Sequence, residues 1–552
     1  MRGIAIHIVL ALIGYSGFAQ QILLDSRADY GVAAFSDELL NIHSGQGSMM
    51  AQPMSRRTVA NLMFNANVSM LNGRQKAELK FYQLAFSKDL EPDQRPELER
   101  PFRGLFQGLD RYKQPDLAYY HQGQTTVTIN PILGASYWSN QNGVNWQRRV
   151  GGDIQAYIGR FGLYGSVRDV YERSPMSQDS LLNPQEGALY KFNNDGSREF
   201  SETRGGITYD FDVGYVGLVR DHVRWGYGYY STNILDINTV PFAQIKLHLN
   251  PVDWFQFDYF HGSLQSDVVD SNSIVTVGAV TTFEYHNKFI AANLFSFRPI
   301  RSLWLTFGNS IVYSERAPEL TYFIPVMFYK SVDHYLNGRN NYAGGNAQMF
   351  AAASLRPGKG VHLYSTLFVD ELSFRRMFDP TRHTNWYSIK SGLRWSNFLP
   401  NATFTIEHYR SNPMVYKHFL GTTNFENAGY TMGHYLRDNA REYILSLRFK
   451  PYYWLSIEGR YQYAQKGIDN PDVRGLRDPI TGIPLTQGIP FLESTTWLQT
   501  TYTLQIVAQP VYRLSVMASL NKIQRPVENE RYQVPFLRGS GFTWQFGVQY
   551  GL

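Results

Sequence analysis

Arg441–Tyr463 reads REYILSLRFKPYYWLSIEGRYQY. Tyr443, Leu445, Leu447 and Phe449 alternate with Glu442, Ser446, Arg448 and Lys450. After a turn at Lys450-Pro451-Tyr452, the residues Tyr453, Leu455, Ile457, Tyr461 and Tyr463 alternate with Ser456, Glu458, Arg460 and Gln462. A period of two sends one set of side chains to each face of a sheet. One stripe here is apolar and the other charged. An apolar stripe against lipid and a charged stripe against a lumen account for both without a second packed layer. A soluble sandwich gives the same alternation, but its charged side then faces bulk water. Strands of about ten residues suit a tilted membrane span and favour a barrel.

The same design repeats outward from this hairpin. TTVTINPILGASYW (125–138) is followed by GGDIQAYIG and RFGLYGSVRDV around a Gly159-Arg160 turn. WFQFDYFHG (254–262) follows a turn at Asn250-Pro251, and KFIAANLFSF joins SLWLTFGNSIVY at Arg298-Pro299. SLRPGKGVHLYSTLFVDEL (354–372) carries a Pro-Gly-Lys-Gly turn. Polar connections are expected at about 173–203, 226–240, 265–285, 314–344, 411–438, 466–493 and 522–538. The chain ends GFTWQFGVQYGL, where Phe542, Trp544, Phe546, Val548, Tyr550 and Leu552 alternate to the last residue. The reading is an all-β transmembrane barrel of about 18 antiparallel strands, an even number as closure demands.

Composition agrees. The 552 residues include 38 Tyr, 35 Phe and 10 Trp, 15% aromatic, as aromatic girdles require. A mean hydropathy of −0.33 excludes a polytopic helical membrane protein but not a barrel with a polar lumen. There are no cysteines, which excludes disulfides, thiolate metal sites and a lipoprotein anchor. The net charge of +6 is spread along the chain, compatible with an anionic glycan or lipid headgroup, and no basic run suggests nucleic acid.

The N-terminus reads as a signal peptide over 1–19: Arg2, the apolar run Ile4 to Leu12, then Gly17-Phe18-Ala19 before cleavage at Gln20. Residues 20–120 read as a small periplasmic segment, an extended arm and then a helical hairpin. RRTVANLMF follows Ser55 as N-cap, and Leu79, Tyr82, Phe86 and Leu90 lie at helical spacing. The barrel takes 121–552.

Enzyme chemistry finds little support. No HExxH occurs, and Gly159, Gly162 and Gly165 lie at a hairpin rather than a phosphate loop. Asp221-His222 and Asp333-His334 are strand neighbours, which point to opposite faces. Asn193, Asp195, Glu199, Asp469 and Asp472 lack calcium-loop spacing and read as solvated acids. No catalytic residue, metal site or cofactor is assigned. The informative stretch is His222–Leu249, HVRWGYGYYSTNILDINTVPFAQIKLHL, an aromatic loop between two strands. His222, Arg224, Trp225, Tyr227, Tyr229 and Tyr230 offer aromatic faces for sugar C–H faces and polar groups for hydroxyls; the bland alternative is an ordinary girdle.

This stretch resembles the signature region of the capsule assembly Wzi family: a Trp-Gly-x-Gly turn, an Ile-Leu segment, then Pro-Phe into a strand. The resemblance continues in KFIAANLFSFRP, LTFGNSIVYSERAPELTYFIPVMFYKSVDHYLNG and MGHYLRDNAREYILSLRFKPYYWLSIEGRYQY. PMSRRTVANLMF and NGRQKAELKFYQLAF look like the family's periplasmic helices. Tyr227 stands between the two glycines where proteobacterial members tend to have Pro, and the loops resemble those of Bacteroidetes-type members. The resemblance implies an eighteen-stranded outer-membrane barrel with periplasmic helices and lectin-like retention of capsular or exopolysaccharide. It marks Gly226, Gly228, Pro241, Phe242, Pro325, Tyr329 and His334 as motif positions. The loops around Trp225 and between Glu315 and Asn346 are expected to occlude the lumen and contact glycan, with Arg224, Arg339, Asn340 and Asn341 as polar partners. Two alternatives are a porin-like channel lined by Glu442, Arg448, Glu458 and Arg460, and a structural partner of other proteins in a surface motility or secretion assembly.

Overall fold

The computed structural model describes residues 21–25, 30–43, 47–90, 116–178, 181–337, 344–468 and 486–551. The leader expected at 1–19 and the acids Asp469 and Asp472 lie outside them. Eighteen antiparallel strands form a closed barrel. They are β1 (Thr125–Asn140), β2 (Gly143–Ile158), β3 (Phe161–Glu172), β4 (Arg198–Asp210), β5 (Gly214–Asp221) and β6 (Phe242–Val252). Next come β7 (Phe255–Val269), β8 (Tyr285–Ile300), β9 (Leu303–Ser314), β10 (Asn346–Gly358), β11 (Val361–Glu371) and β12 (Trp386–Leu399). The last are β13 (Ala402–Ser411), β14 (Ala440–Tyr452), β15 (Leu455–Gly467), β16 (Thr495–Val511), β17 (Leu514–Val527) and β18 (Gly541–Tyr550). Closure comes from Trp544–Tyr550 of β18 pairing with Ser139–Leu133 of β1. The other half of β1 pairs with Ala118–Gln122, so the strand entering the barrel continues the line of β18.

Side chains sort as the alternation requires. Tyr443, Leu445, Leu447 and Phe449 face outward at 42–48% exposure, while Glu442 and Ser446 are buried in the lumen. The apolar belt continues through Ile129, Leu133, Val150, Ile154, Leu504, Ile506, Trp544 and Phe546. A belt of this extent is untenable in water and is the solvated face in lipid. Among the described residues no helix is long and apolar enough to cross a membrane; the strands do so.

One rim carries turns of two or three residues and the other carries long loops, apart from the tight turn between β1 and β2. The turns at Gly159-Arg160 and Lys359-Gly360 lie where the sequence places them. Those expected at Pro251, Pro299 and Pro451 lie further on, at Asp253-Trp254, Arg301-Ser302 and Tyr453-Trp454. Each proline instead occupies a register shift near the strand end. A bulge needs no ladder N–H at that position, so proline is tolerated there. The residue before each proline still donates: Asn250 to Val213 O (2.7 Å), Arg298 to Trp254 O (2.7 Å) and Lys450 to Asn401 O (2.9 Å). An eighth long connection, 372–385, was not marked by the sequence reading.

The N-terminal segment caps the short-turn rim with α1 (Tyr30–Ile42), α2 (Arg56–Phe64) and α3 (Gly73–Phe86). Ser55 Oγ accepts from Thr58 N at 3.1 Å, and Asn72 and Gln75 form a reciprocal capping box. Leu79, Tyr82, Phe86 and Leu90 pack with Phe35, Leu39, Val59, Met63 and the barrel's Tyr512. Arg56 forks onto Asp89 at 3.0 and 3.1 Å. Burial alone would raise the Glu38 carboxyl, but the Arg74 guanidinium holds it below the usual range. Docking uses the short turns: Gly360 N donates to Asn41 O (3.0 Å), and Asn72 Nδ2 to Asn401 Oδ1 (3.2 Å). The arm expected to be extended contains α1. Its Asp37 and Glu38 interrupt an amphipathic pattern because they meet buried arginines rather than solvent.

The 315–345 connection behaves differently from expectation. Instead of entering the lumen, its residues 315–337 fold back over the outer wall of β7–β10. Tyr259, His261, Asn293 and Asn309 are in register with Leu247 and Ile245 on the outward face. Asn293 Nδ2 donates to the carbonyls of Pro325 and Met327 at 2.9 Å each, and Asn309 Oδ1 accepts from Tyr329 N at 2.8 Å. His261 stacks on Phe323 with ring centroids 4.0 Å apart. The segment, including α4 (Tyr329–Asn337), therefore shields a polar notch from lipid and turns Leu320, Val326 and Phe328 outward. Unpaired amides facing hydrocarbon would be costly, which is why the flap lies there.

Candidate functional site

The residues singled out from the sequence converge inside the barrel. After β5, His222–Pro241 turns into the lumen. Arg224 and Trp225 pair with Gln52 and Ala51 of the N-terminal arm, so a loop from the long-loop rim meets a segment from the short-turn rim. Trp225 N donates to Leu235 O at 2.8 Å, and Gly226 N to Met50 O at 2.9 Å. Gly226 has φ 130°, and a Cβ on Gly228 would fall 2.0 Å from Ser231 O. The two glycines thus allow a tight fold against the wall.

Each aromatic residue of the loop has a specific berth. Trp225 is 1% exposed, edge-on to Phe260 (5.1 Å) and Phe350 (6.4 Å). Tyr227 OH lies 3.3 Å from Ser48 Oγ. Tyr229 N donates to Glu407 Oε1 (2.5 Å), its hydroxyl meets His362 Nδ1 (2.6 Å), and Arg394 stacks over its ring at 4.2 Å. Tyr230 donates to Glu458 Oε1 at 3.1 Å under the Arg460 guanidinium. Pro241 and Phe242 are buried where the loop rejoins the wall. A cavity of about 220 Å³ remains between this loop and α1, walled by Arg224, Tyr229, Arg356, Arg394 and Arg448.

A second loop, 412–439, also folds inward, which the sequence reading did not distinguish from the other connections. Asp236 N donates to Met432 O at 2.7 Å, and Asn238 Nδ2 to Gly433 O at 2.8 Å. Val415, Tyr416, Phe425 and Met432 join Trp225 and Tyr227 in one apolar cluster. Behind them Lys390 Nζ lies 2.8 Å from Glu407 and 3.9 Å from Glu442, whose other oxygen contacts lie around Tyr435 and His434. The only hint of this plug in the sequence is the Met, Tyr and Phe content of 414–435.

The remaining candidates are not part of this assembly. Pro325, Tyr329 and His334 belong to the outer-wall flap, with Tyr329 fully buried and His334 exposed. Arg339, Asn340 and Asn341 lie outside the described residues. Neither Asp-His pair forms an acid–imidazole couple. Asp221 is held by Arg204 (2.7 and 2.8 Å) and Tyr164 (2.8 Å), whereas His222 turns toward Glu186. Asp333 accepts from Asn337 and Gly345. Burial works against charging His222, but Glu186 and Glu202 beside it hold the imidazole up at about 9.

Trp225 is thus a strut of the plug, packed against Phe260 and Phe350 of the wall. Trp225→Ala should cost about 3–5 kcal/mol, the range for emptying a buried aromatic site. Thermal unfolding in detergent would show it as a lower midpoint.

No protein-family model and no curated protein sequence matches the chain. Among solved structures, it is similar to Wzi of Escherichia coli, titled an outer-membrane protein involved in group 1 capsule assembly and a carbohydrate-binding β-barrel. The TM-score is 0.55 at 11% identity, over 97% of this chain and 100% of that one. Acinetobacter baumannii OccAB2 superposes with a TM-score of 0.44 at 8% identity, over 78% of this chain and 99% of that one. Pseudomonas aeruginosa OccK8 (OprE) gives 0.41 at 7%, over 77% and 97%. At 11% identity the first likeness bears on the fold. Together with the apolar belt and the closed antiparallel sheet, it makes the chain an outer-membrane β-barrel.

Proposed function

We propose that this barrel is a non-catalytic, lectin-like protein that binds and retains capsular or other exopolysaccharide at the cell surface. The observation that carries the reading is the filled lumen: two long loops and the N-terminal arm pack against one another across it. Charged wall residues that a pore would use are engaged instead, with Arg448 2.6 Å from Glu458, which also accepts from Tyr230 OH, and Arg460 over the Tyr230 ring. Function then moves to the long-loop rim. The likeness in fold to the Escherichia coli barrel, described as carbohydrate-binding, adds support.

Because Trp225, Tyr227 and His222 are enclosed, the first glycan contacts are assigned to the rim rather than to the plug. Loop 372–385 carries Phe374 and Phe378 at 79% and 89% exposure, beside Arg375, Arg376 and Arg382. Aromatic faces suit sugar C–H faces, and guanidiniums pair with acidic sugars. Arg339, Asn340 and Asn341, in the chain between β9 and β10, are proposed to add to it.

Co-sedimentation of the purified, folded barrel with its host's surface polysaccharide tests this. Wild type should bind, and the Phe374→Ala/Phe378→Ala double variant should lose about tenfold or more in affinity while keeping its heat-modifiable gel mobility. Planar bilayers should show no steady current. A folded wild type that binds no surface glycan would overturn the reading, and steady open-channel current would favour the porin-like alternative.

A further inference from the structure

Glu186, Glu202 and His222 come from three separate parts of the chain and meet inside the barrel wall. Glu186 belongs to the 173–197 loop, Glu202 points inward from β4, and His222 is the first residue of the plug beyond β5. One ligand atom from each lies within 4.8 Å of the other two. His222 Nε2 is 3.3 Å from Glu186 Oε2 and 3.8 Å from Glu202 Oε1. All three side chains are nearly inaccessible, at 3%, 6% and 7% exposure for His222, Glu186 and Glu202. Among the described residues this is the one grouping of such side chains close enough to share an ion.

A second observation concerns the imidazole itself. It is buried, and neither ring nitrogen makes a hydrogen bond of ordinary geometry, although Nε2 sits beside two carboxylates. Buried polar atoms of native proteins are normally hydrogen-bonded, whereas Nε2 meets its two carboxylates only as ion pairs at 3.3 and 3.8 Å, a spacing that an ion shared by all three would draw in. First-row divalent ions bind imidazole and carboxylate at about 2.0–2.2 Å, which sets neighbouring ligand atoms roughly 3 Å apart. The separations here reach that with small side-chain movements. His222 also borders the 220 Å³ cavity, which gives an ion an approach and room for water ligands.

We propose that Glu186, Glu202 and His222 form a binding site for a first-row divalent cation of the zinc type, a clasp that fastens the plug to the barrel wall and to the 173–197 loop. The imidazole selects against magnesium and calcium, which prefer all-oxygen shells. The surrounding charges allow the site. Arg168 Nη1 donates to Glu202 Oε1 at 3.1 Å and also pairs with Asp25, while Arg204 is shared between Asp25 (3.1 Å) and Asp221 (2.7 Å). Each arginine is thus balanced by another acid as well. No sequence motif announces the site, because the ligands lie at positions 186, 202 and 222, far outside any familiar metal-binding spacing.

The test uses the full-length barrel in detergent, stripped with chelator and titrated with zinc chloride. Calorimetry and elemental analysis should find one zinc per chain, with calcium and magnesium at least about tenfold weaker. Glu186→Gln, Glu202→Gln and His222→Ala should each weaken zinc about tenfold or more. Glu199→Gln, on the same strand as Glu202, should change nothing. Heat-modifiable mobility reports folding in every case, and the wild-type stoichiometry decides if a variant does not fold. Less than stoichiometric zinc on folded wild type, or full binding by folded His222→Ala, would overturn the proposal and leave an ion-paired histidine. Neither result touches the glycan reading, whose test is polysaccharide binding by residues of the long-loop rim.

Discussion

Lys390→Met is expected to destabilise the barrel by about 3–5 kcal/mol, the usual consequence of stranding a buried charge. Lys390 is fully buried on β12, with its ammonium 2.8 Å from Glu407 and 3.9 Å from Glu442. Glu407 also accepts from Tyr229 N and Tyr364 OH, so it fastens the first plug loop to the wall. Glu442 faces His434 at 3.3 Å and receives Tyr435 OH, so it fastens the second. One cation therefore balances the anchor points of both loops. Its removal leaves two carboxylates facing each other in a poorly hydrated interior, and the plug should loosen before the barrel opens. Urea unfolding in detergent, read by heat-modifiable mobility, measures the loss. Lys390→Met/Glu407→Gln should recover part of it, since the two residues act as a coupled pair. Additive losses in that cycle would mean the two groups are independent and the anchor argument is wrong.

The barrel was largely legible because its signal is local. Alternation in stretches such as 441–463 is set by the pleat, and each strand repeats it. What escaped needed long-range information. Prolines 251, 299 and 451 read as turn residues, and only pairing reveals that they occupy bulges. Helix α1 was missed because both of its faces are covered, one by the cap and one by lumen arginines, which erases amphipathic contrast. The 315–337 flap is expected inside because its composition resembles a plug. Its outward position depends on Asn293 and Asn309 being in register on the lipid face, and neither residue says so alone. For the candidate site, 222–241 is legible as one aromatic loop between two strands, and its depth in the lumen is not. Trp, Tyr, Asn and Asp suit a sugar-binding surface and an interior plug equally well, so composition cannot separate them. Glu186 and Glu202 were invisible because only the barrel wall brings them to His222.

Arg356→Met should release the N-terminal cap, at about 3 kcal/mol. Arg356 on β10 is 1% exposed and reaches out of the wall to α1, with Nη2 2.9 Å from Asp37 Oδ1 and Nη1 2.7 Å from Asn41 Oδ1. These bonds join the barrel to a helix that otherwise meets it through the Gly360–Asn41 backbone bond, longer polar contacts to Arg394, Ser396 and Asn397, and apolar packing. The loss is placed at the low end of the range for a broken buried pair because Arg394 Nε remains 3.8 Å from Asp37 and keeps part of its charge balanced. Lysine is a poor replacement, since a single ammonium cannot serve the carboxylate and the Asn41 amide together. Arg356→Lys should therefore fall between wild type and Arg356→Met. The direct readout is trypsin cleavage at Lys76 and Lys80 on α3, rapid in Arg356→Met and slow in wild type, with the barrel keeping its heat-modifiable mobility. The same loosening should reach the plug, because α1 and the Tyr229 loop share the Arg394 guanidinium. Intermittent current in bilayers from Arg356→Met, against a silent wild type, would mark that coupling. Cleavage unchanged from wild type would show that apolar packing alone holds the cap.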